Sequence, residues 1–307
     1  MKTLAIVNPV AGWGRAARVW PNLLAALAER DGLLASWYTE GPRHAELLAA
    51  QARREGIERV VVVGGDGTLF EVINGLWWEP EGELPSVGIV PVGTGCDYVR
   101  NFNLGTTLHE KLATALAEPS VPVDVGACRL SGLDGRPLAR VFLNVLGFGF
   151  DAAVIDRFQR QRLKFRGRIP YLIASLQEMA QARSLSVKGA VDGEPVDAPA
   201  LIFAAGLGTS FGAGMRITPG GTPGAGRFQT VWDERLTRFE LLRLLPKIYA
   251  GRHIGHPKVR SRYARRIELA AEPAAGVEAE GELIGTTPIR LAIHPEGLRI
   301  ACAGFKT

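Results

Sequence analysis

The stretch whose residue types and spacing carry the clearest chemistry is Gly64-Gly65-Asp66-Gly67-Thr68. Val60, Val61, Val62 and Val63 precede it and read as a strand buried on both faces, because β-branched side chains suit an enclosed pleated surface. The glycines then end that strand: without a Cβ the backbone can take positive φ and approach a ligand closely. Beyond Thr68 the period changes, with Leu69, Val72, Ile73 and Leu76 at the spacing of one helix face. A glycine turn that feeds a helix N-terminus presents unpaired amides and the positive end of a dipole, which suits phosphate. Taken alone, the stretch is equally a plain strand-to-helix turn with no ligand. No GxxxxGK[ST] loop occurs in the chain, so a phosphate cradle here is not of the P-loop kind.

Residues of this kind need strands to hold them, and the flanking sequence supplies a regular series. Apolar strands are expected at 2–7, 36–39, 60–63 and 85–91, separated by helices over about 16–30, 44–55 and from Thr68 onward. Each strand ends in a turn bearing candidate polar groups: Asn8-Pro9 before Gly12, Thr39, the glycine stretch, and Gly93-Thr94-Gly95-Cys96-Asp97. Strand and helix alternating from 2 to 118 imply an open parallel α/β sheet with its ligand at the strand C-termini. Arg100 pairs either with a phosphate or with Asp97, three residues earlier on a helix. His44 reads as a surface or capping residue at the start of its helix.

Near residue 122 the character changes. Residues 121–130 alternate with period two, 131–136 form a turn and 140–145 a returning strand, so hairpins replace strand-helix-strand units. The expected division is an α/β domain over 1–122 and a mainly antiparallel β domain over 123–307. In the second domain one long helix is expected over 156–183 and another over 238–250. Strands are expected at 185–191, 199–206, 227–233, 258–260, 265–270, 276–280, 287–293 and 297–303, with an exposed Gly/Pro loop over 218–226. Arg157, Arg160, Arg162, Lys164, Arg166 and Arg168 crowd the start of the long helix, ahead of an apolar second half. That pattern suits an anionic lipid surface and equally an ordinary packed helix with a solvated basic start.

The glycine stretch, followed by Glu71, Asn74 and Gly75, closely resembles the GGDGT signature of the diacylglycerol kinase catalytic domain. That superfamily includes sphingosine kinases and bacterial lipid kinases, and NAD kinases share a related loop. The resemblance implies a two-domain fold and an ATP site at Gly64, Gly65, Asp66, Gly67 and Thr68. Asp66 would help to organise the Mg²⁺ that arrives with the nucleotide, directly or through water. Asn8 and Gly12 match an NPxSG motif with Ala11 in place of serine, and Thr39 stands where the family places a threonine against ATP. Glu71 and Asn74 match the lipid-kinase continuation of the signature. Gly93, Thr94 and Asp97 match a P-x-GT-x-ND-F-A-R motif in which Cys96 replaces asparagine. The 142–152 stretch resembles a further motif that carries Asn144 and Asp151, the latter either at the site or capping the next helix.

The C-terminal half departs from the family in ways that touch chemistry. Ala225 stands where an aspartate contributes to a magnesium site, and a hard cation needs oxygen ligands, so no metal ligand is assigned to this chain. Ala205 replaces an asparagine before Gly206. Glu280-Gly281-Glu282 stands where the family has D-G-E, whose aspartate is the proposed base for the lipid hydroxyl. Glu280 therefore takes the role of base by resemblance, one methylene further out; E-G-E is also good turn chemistry. The resemblance implies a lipid kinase acting on diacylglycerol or a related lipid alcohol. Its rivals are a nucleotide- or lipid-binding regulatory protein with lapsed catalysis, and an NAD kinase.

Composition sets the remaining bounds. At 307 residues, 47% of them hydrophobic, the chain has length for two domains and apolar side chains for sizeable cores. No apolar run approaches the roughly 20 residues that span a bilayer, and the N-terminus lacks a signal-peptide pattern. Three widely spaced cysteines without metal spacing fit a reducing, cytoplasmic location, with peripheral contact to the inner membrane face left open. The net charge of +5 suits an anionic partner. Absence of helix-turn-helix, aromatic RNA-binding or basic-tail signals argues against nucleic acid. A homodimer is left open.

Overall fold

The computed structural model describes residues 1–25, 33–93, 95–117, 119–150, 152–153, 184–212 and 214–306. Thr94, Asp151 and the basic segment 157–168 of the expected long helix lie outside the described residues. The chain divides into two compact units, one formed by Met1–Val123 with Glu296–Thr307 and the other by Asp124–Pro295. The last residues thus belong with the N-terminal unit, whereas a boundary read at 122/123 assigns them to the second.

The first unit is built on parallel strands β1 (Thr3–Val7), β2 (Leu33–Tyr38), β3 (Arg59–Gly64) and β4 (Ser86–Pro91), in the spatial order β2-β1-β3-β4. Every residue of β1 and β3 is buried, as strands covered on both faces require. One face, with Ala5, Val7, Val61, Val63, Val90 and Val92, packs on helix α1 (Ala11–Ala25) through Trp20 and on α4 (Leu108–Leu116) through Leu112. Helices α2 (His44–Arg54) and α3 (Asp66–Trp78) pack on β1 and β3 and on each other. Gly75 permits that helix contact, since a Cβ there would lie 2.0 Å from the Glu46 carbonyl oxygen. At the base of β3 the wholly buried Arg59 donates to Ser86 Oγ, the Ala117 carbonyl and Ser120 Oγ. The parallel sheet and its helices agree with the α/β reading of the sequence.

The second unit is antiparallel. It comprises β5 (Ser120–Gly132, from Asp124 on), β6 (Pro137–Phe142), β7 (Val145–Gly149), β8 (Leu185–Val191), β9 (Glu194–Ala200), β10 (Ile202–Gly206) and β11 (Phe228–Asp233). Helix α5 (Arg238–Tyr249) follows, then β12 (Val259–Ala264), β13 (Arg266–Glu272), β14 (Gly276–Ala279) and β15 (Glu282–Ala301). Strands β12, β11, β10, β7, β14 and β15 lie side by side in that order, and β15 also pairs with β13, which continues through β8 to β9. The strands expected at 287–293 and 297–303 are one strand, β15, whose Ile300 pairs with Val87 of β4 within the first unit. Strand β9 was not expected, because Pro195 and Pro199 argue against a strand interior. It forms nonetheless because Asp192 and Gly193, with φ of 50° and 82°, make the two-residue turn that joins it to β8. The 218–226 loop is only partly exposed: Thr218, Gly221 and Pro223 are buried.

Candidate active site

In the first unit the turns after β1, β3 and β4 converge at the C-terminal edge of the sheet. Asn8 donates from Nδ2 to Thr68 Oγ1 at 2.9 Å and accepts from the Val10 amide through Oδ1. A Cβ on Gly12, whose φ is 58°, would lie 2.0 Å from the Val92 carbonyl oxygen. A Cβ on Gly93 would lie 2.6 Å from the Gly65 Cα. Glycine at these positions lets three backbone segments meet at distances no side chain allows. Gly64 crosses over Thr68, whose side chain a Cβ would approach to 2.6 Å. Gly67 lies in the first turn of α3, and Thr39 is buried at the end of β2 with its amide bonded to the Val7 carbonyl. Asn8, Gly12, Gly64, Gly65, Asp66, Thr68, Gly93 and Asp97 are thereby linked by hydrogen bonds or close backbone approach.

The carboxylate of Asp66 holds the turn after β4. It accepts from the Asp97 amide at 2.9 Å and the Tyr98 amide at 3.2 Å, where a short 3₁₀ turn, Tyr98–Asn101, begins. Desolvation raises its pKa from the ordinary value, against the pull of those amides. Arg100 pairs with Asp97 at 2.9 Å, which is the intrahelical one of its two readings. Cys96 has φ of 51°, the left-handed region that asparagine tolerates better than most side chains. Burial pushes its thiol up to about 12, so it stays protonated near neutrality. Cys96→Asn is expected to raise stability by a few tenths to about 1 kcal/mol, read as an upward shift in thermal midpoint.

Glu71 and Asn74 have structural employment. The Glu71 carboxylate accepts from the amides of Arg43 and Ala45, at the start of α2. Asn74 is buried, donates to the Phe70 carbonyl and accepts from the Trp78 indole. Glu71 therefore ties α3 to the start of α2, whereas the bonds of Asn74 run within α3, which carries the glycine turn at its N-terminus.

In the second unit, Glu280 and Gly281 form the two-residue turn between β14 and β15, with φ of 55° and 82°. Asp-Gly or Asn-Gly is the usual choice for such a turn, and glutamate replaces the first residue here. The Glu280 side chain folds back: its Oε1 accepts from the amides of Leu143 at 2.8 Å and Asn144 at 2.6 Å. Asn144 is itself buried and donates from Nδ2 to the Ser210 carbonyl, while its Oδ1 has no hydrogen-bond partner among the described residues. The sequence motif contained Asn144, but its pairing with Glu280 depends on residues 136 positions apart. Ala205 lies in the middle of β10, buried between Leu146 and Thr230.

Among the described residues no group of three His, Cys, Asp or Glu side chains could hold a metal ion. Each Asp66 oxygen accepts one backbone amide, and Ala225 offers no side-chain oxygen where the family resemblance places a metal-ligating aspartate.

Parallel α/β and antiparallel β units, with glycine turns at one sheet edge, define a two-domain kinase fold of the kind shared by lipid and NAD kinases. The chain belongs to the diacylglycerol kinase family. Residues 2–128 match the diacylglycerol kinase catalytic domain and residues 144–302 the YegS C-terminal NAD kinase beta sandwich-like domain. The chain is 30% identical over 302 residues to a diacylglycerol kinase of Mycobacterium tuberculosis, spanning 97% of this chain and 94% of that one. It is 26% identical over 283 residues to a diacylglycerol kinase of Staphylococcus carnosus, spanning 92% and 89%. A crystal structure of a diacylglycerol kinase from Bacillus anthracis superposes with a TM-score of 0.71 at 20% identity, covering 98% and 96%. Yeast NADH kinase complexed with NADH superposes at 0.54 and 12% identity, covering 100% and 84%. At such identities the structural likeness is one of fold.

Proposed function

We propose that this protein transfers the γ-phosphoryl group of ATP to the hydroxyl of diacylglycerol or a related lipid alcohol. The observation that carries the reading is the close approach of Gly12, Gly65 and Gly93 at the N-terminus of α3, where a Cβ on Gly12 or Gly93 would collide with neighbouring backbone. Gly64, Gly65, Gly67, Thr68 and Gly93 then cradle the nucleotide phosphates. Asn8 orients Thr68 for them, Gly12 and Thr39 line the same edge, and Thr94 is assigned to the nucleotide by family resemblance alone. Asp66 and Asp97 hold the third turn in place.

The chemistry is a displacement at phosphorus. The acceptor oxygen forms a bond to the γ-phosphorus, the bond to the β-γ bridging oxygen breaks, and ADP leaves with that electron pair. The acceptor proton passes to the Glu280 carboxylate, whose Oε1 accepts from the amides of Leu143 and Asn144. Magnesium, when carried in by the nucleotide, neutralises phosphate charge. The lipid acceptor resides in a bilayer, and no described helix is long and apolar enough to cross one. We therefore place the protein at the surface of an anionic membrane, on the cytoplasmic side where ATP is available.

Incubation with γ-labelled ATP and a panel of extracted lipids, with NAD included, tests this. Label on a diacylglycerol-type lipid is the expected result. Label on NAD alone would replace the reading by NAD kinase, and ATP binding without transfer to anything would replace it by a regulatory role.

A further inference from the structure

Helix α5 is apolar on two opposite faces. Leu241, Leu244 and Ile248 are buried against Val145, Leu201, Ala204 and Val231. The opposite face carries Phe239, Leu242, Pro246 and Tyr249, which share one side of the helix by their three- and four-residue spacing. Phe239 is 77% exposed, and Leu242 and Tyr249 are each 44% exposed. A helix at a water-facing surface ordinarily presents polar residues there, so the outward stripe calls for something to cover it.

The surrounding charge says what. Arg238, Arg243 and Lys247 are exposed on the same helix, Arg235 just before it and Arg252 just after it. Arg243 and Lys247 form no ion pair among the described residues. The one acid on the helix, Glu240, is occupied: it closes the capping box with Thr237 and binds Lys258 Nζ at 2.7 and 2.9 Å. Glu234, before the helix, pairs with Arg260 at 2.8 Å. Cations at a helix C-terminus favour its dipole, which accounts for Lys247 but not for an outward Phe239 and Leu242. A second copy of this chain is a poor cover, because a two-fold contact would set one cationic rim against another.

We propose that the outer face of α5 docks on an anionic lipid surface, with Phe239, Leu242 and Tyr249 in the headgroup-acyl boundary and Arg243 and Lys247 on the lipid phosphates. The inference deepens the lipid-kinase reading and rests on it only for its purpose, since a surface can bind lipid whether or not the protein transfers phosphate.

The test uses the full chain and co-sedimentation with vesicles of phosphatidylcholine mixed with phosphatidylglycerol, against phosphatidylcholine alone. The wild type is expected to bind the mixed vesicles preferentially, and less so as salt rises. R243Q with K247Q should weaken that binding about fivefold per cation, roughly 25-fold for the pair. F239S with L242S should weaken it at least about tenfold through lost apolar burial. All four positions are exposed, so thermal midpoints should match the wild type, as should phosphorylation of a water-soluble short-chain diacylglycerol. Equal binding to both vesicle types, or variants that bind as the wild type does, overturns the proposal. So does a wild-type dimer that F239S with L242S dissociates. If no acceptor is phosphorylated while vesicle binding follows the expected pattern, docking stands and the kinase reading falls.

Discussion

Gly65→Val is expected to lower ATP affinity by about 100-fold or more while leaving the protein folded. The backbone at Gly65 has φ of −112° and ψ of −169°, a region open to any L residue, so valine strains nothing locally. Its Cβ would stand 3.3 Å from the Gly93 Cα, a contact that a few tenths of an ångström of movement relieves. The isopropyl group would then occupy the place where the phosphates approach the amides. Two hydrogen bonds to a charged group are each worth about 1.5–3 kcal/mol. Losing both corresponds to roughly two to four decades in affinity. Gly12→Val makes the contrast: it meets a carbonyl oxygen at 2.0 Å with φ at 58°, so it should fail as a fold rather than as a ligand site. Titration calorimetry of ATP, alongside the thermal midpoint, reads both outcomes. Unchanged affinity in folded Gly65→Val removes the phosphate cradle from the account.

The strand-turn-helix on which the proposed cradle rests was legible because its determinants are local. Buried valines, glycines and a change of period all fall within the span from Val60 to Leu76, and the structure begins β3 and α3 there. The capping box that starts α5 is likewise four residues of sequence, Thr237 to Glu240, ahead of an apolar pattern. The parallel sheet followed from repetition of the strand-helix unit.

What stayed hidden depends on partners distant in the chain or on dihedral angles that residue types do not reveal. Glu71 caps a helix whose amides lie 26 and 28 residues earlier, so the sequence shows a carboxylate without its employment. Cys96 reads as a loss of polarity until its φ of 51° shows why asparagine belongs there. Strand β9 was masked by its prolines, although Asp192-Gly193 signalled the turn that pairs it. The burial alternation of β15 lapses at His294-Pro295-Glu296, where Glu296 has φ of 53° and the second unit gives way to the first; the sequence shows that break, but not that pairing continues through it. The outer stripe of α5 has the spacing of a core face, and only exposure separates it from the buried one.

Glu280→Gln is expected to reduce lipid-dependent turnover by about 10²–10⁴-fold, the usual contribution of a general base. The geometry makes this substitution unusually clean. Oε1 of Glu280 acts only as an acceptor toward the Leu143 and Asn144 amides, and a glutamine carbonyl oxygen can accept the same two bonds. The turn needs a residue at φ of 55°, which glutamine enters at about the same expense as glutamate. The turn and the two amide bonds to Oε1 are therefore retained while basicity is lost. ATP affinity should stay within about twofold, because the nucleotide groups belong to the other unit and a base for the acceptor adds nothing to ground-state nucleotide binding. Glu280→Asp separates reach from basicity: aspartate suits the turn better but is one methylene shorter toward residues 143 and 144. If Glu280→Asp retains turnover while Glu280→Gln loses it, the carboxylate and not its length is what the reaction needs. Steady-state assays of phosphate transfer to lipid, run with both variants at saturating ATP, decide the matter. A glutamine variant within about threefold of the wild type, far below the general-base range, would make Glu280 a hairpin anchor and nothing more.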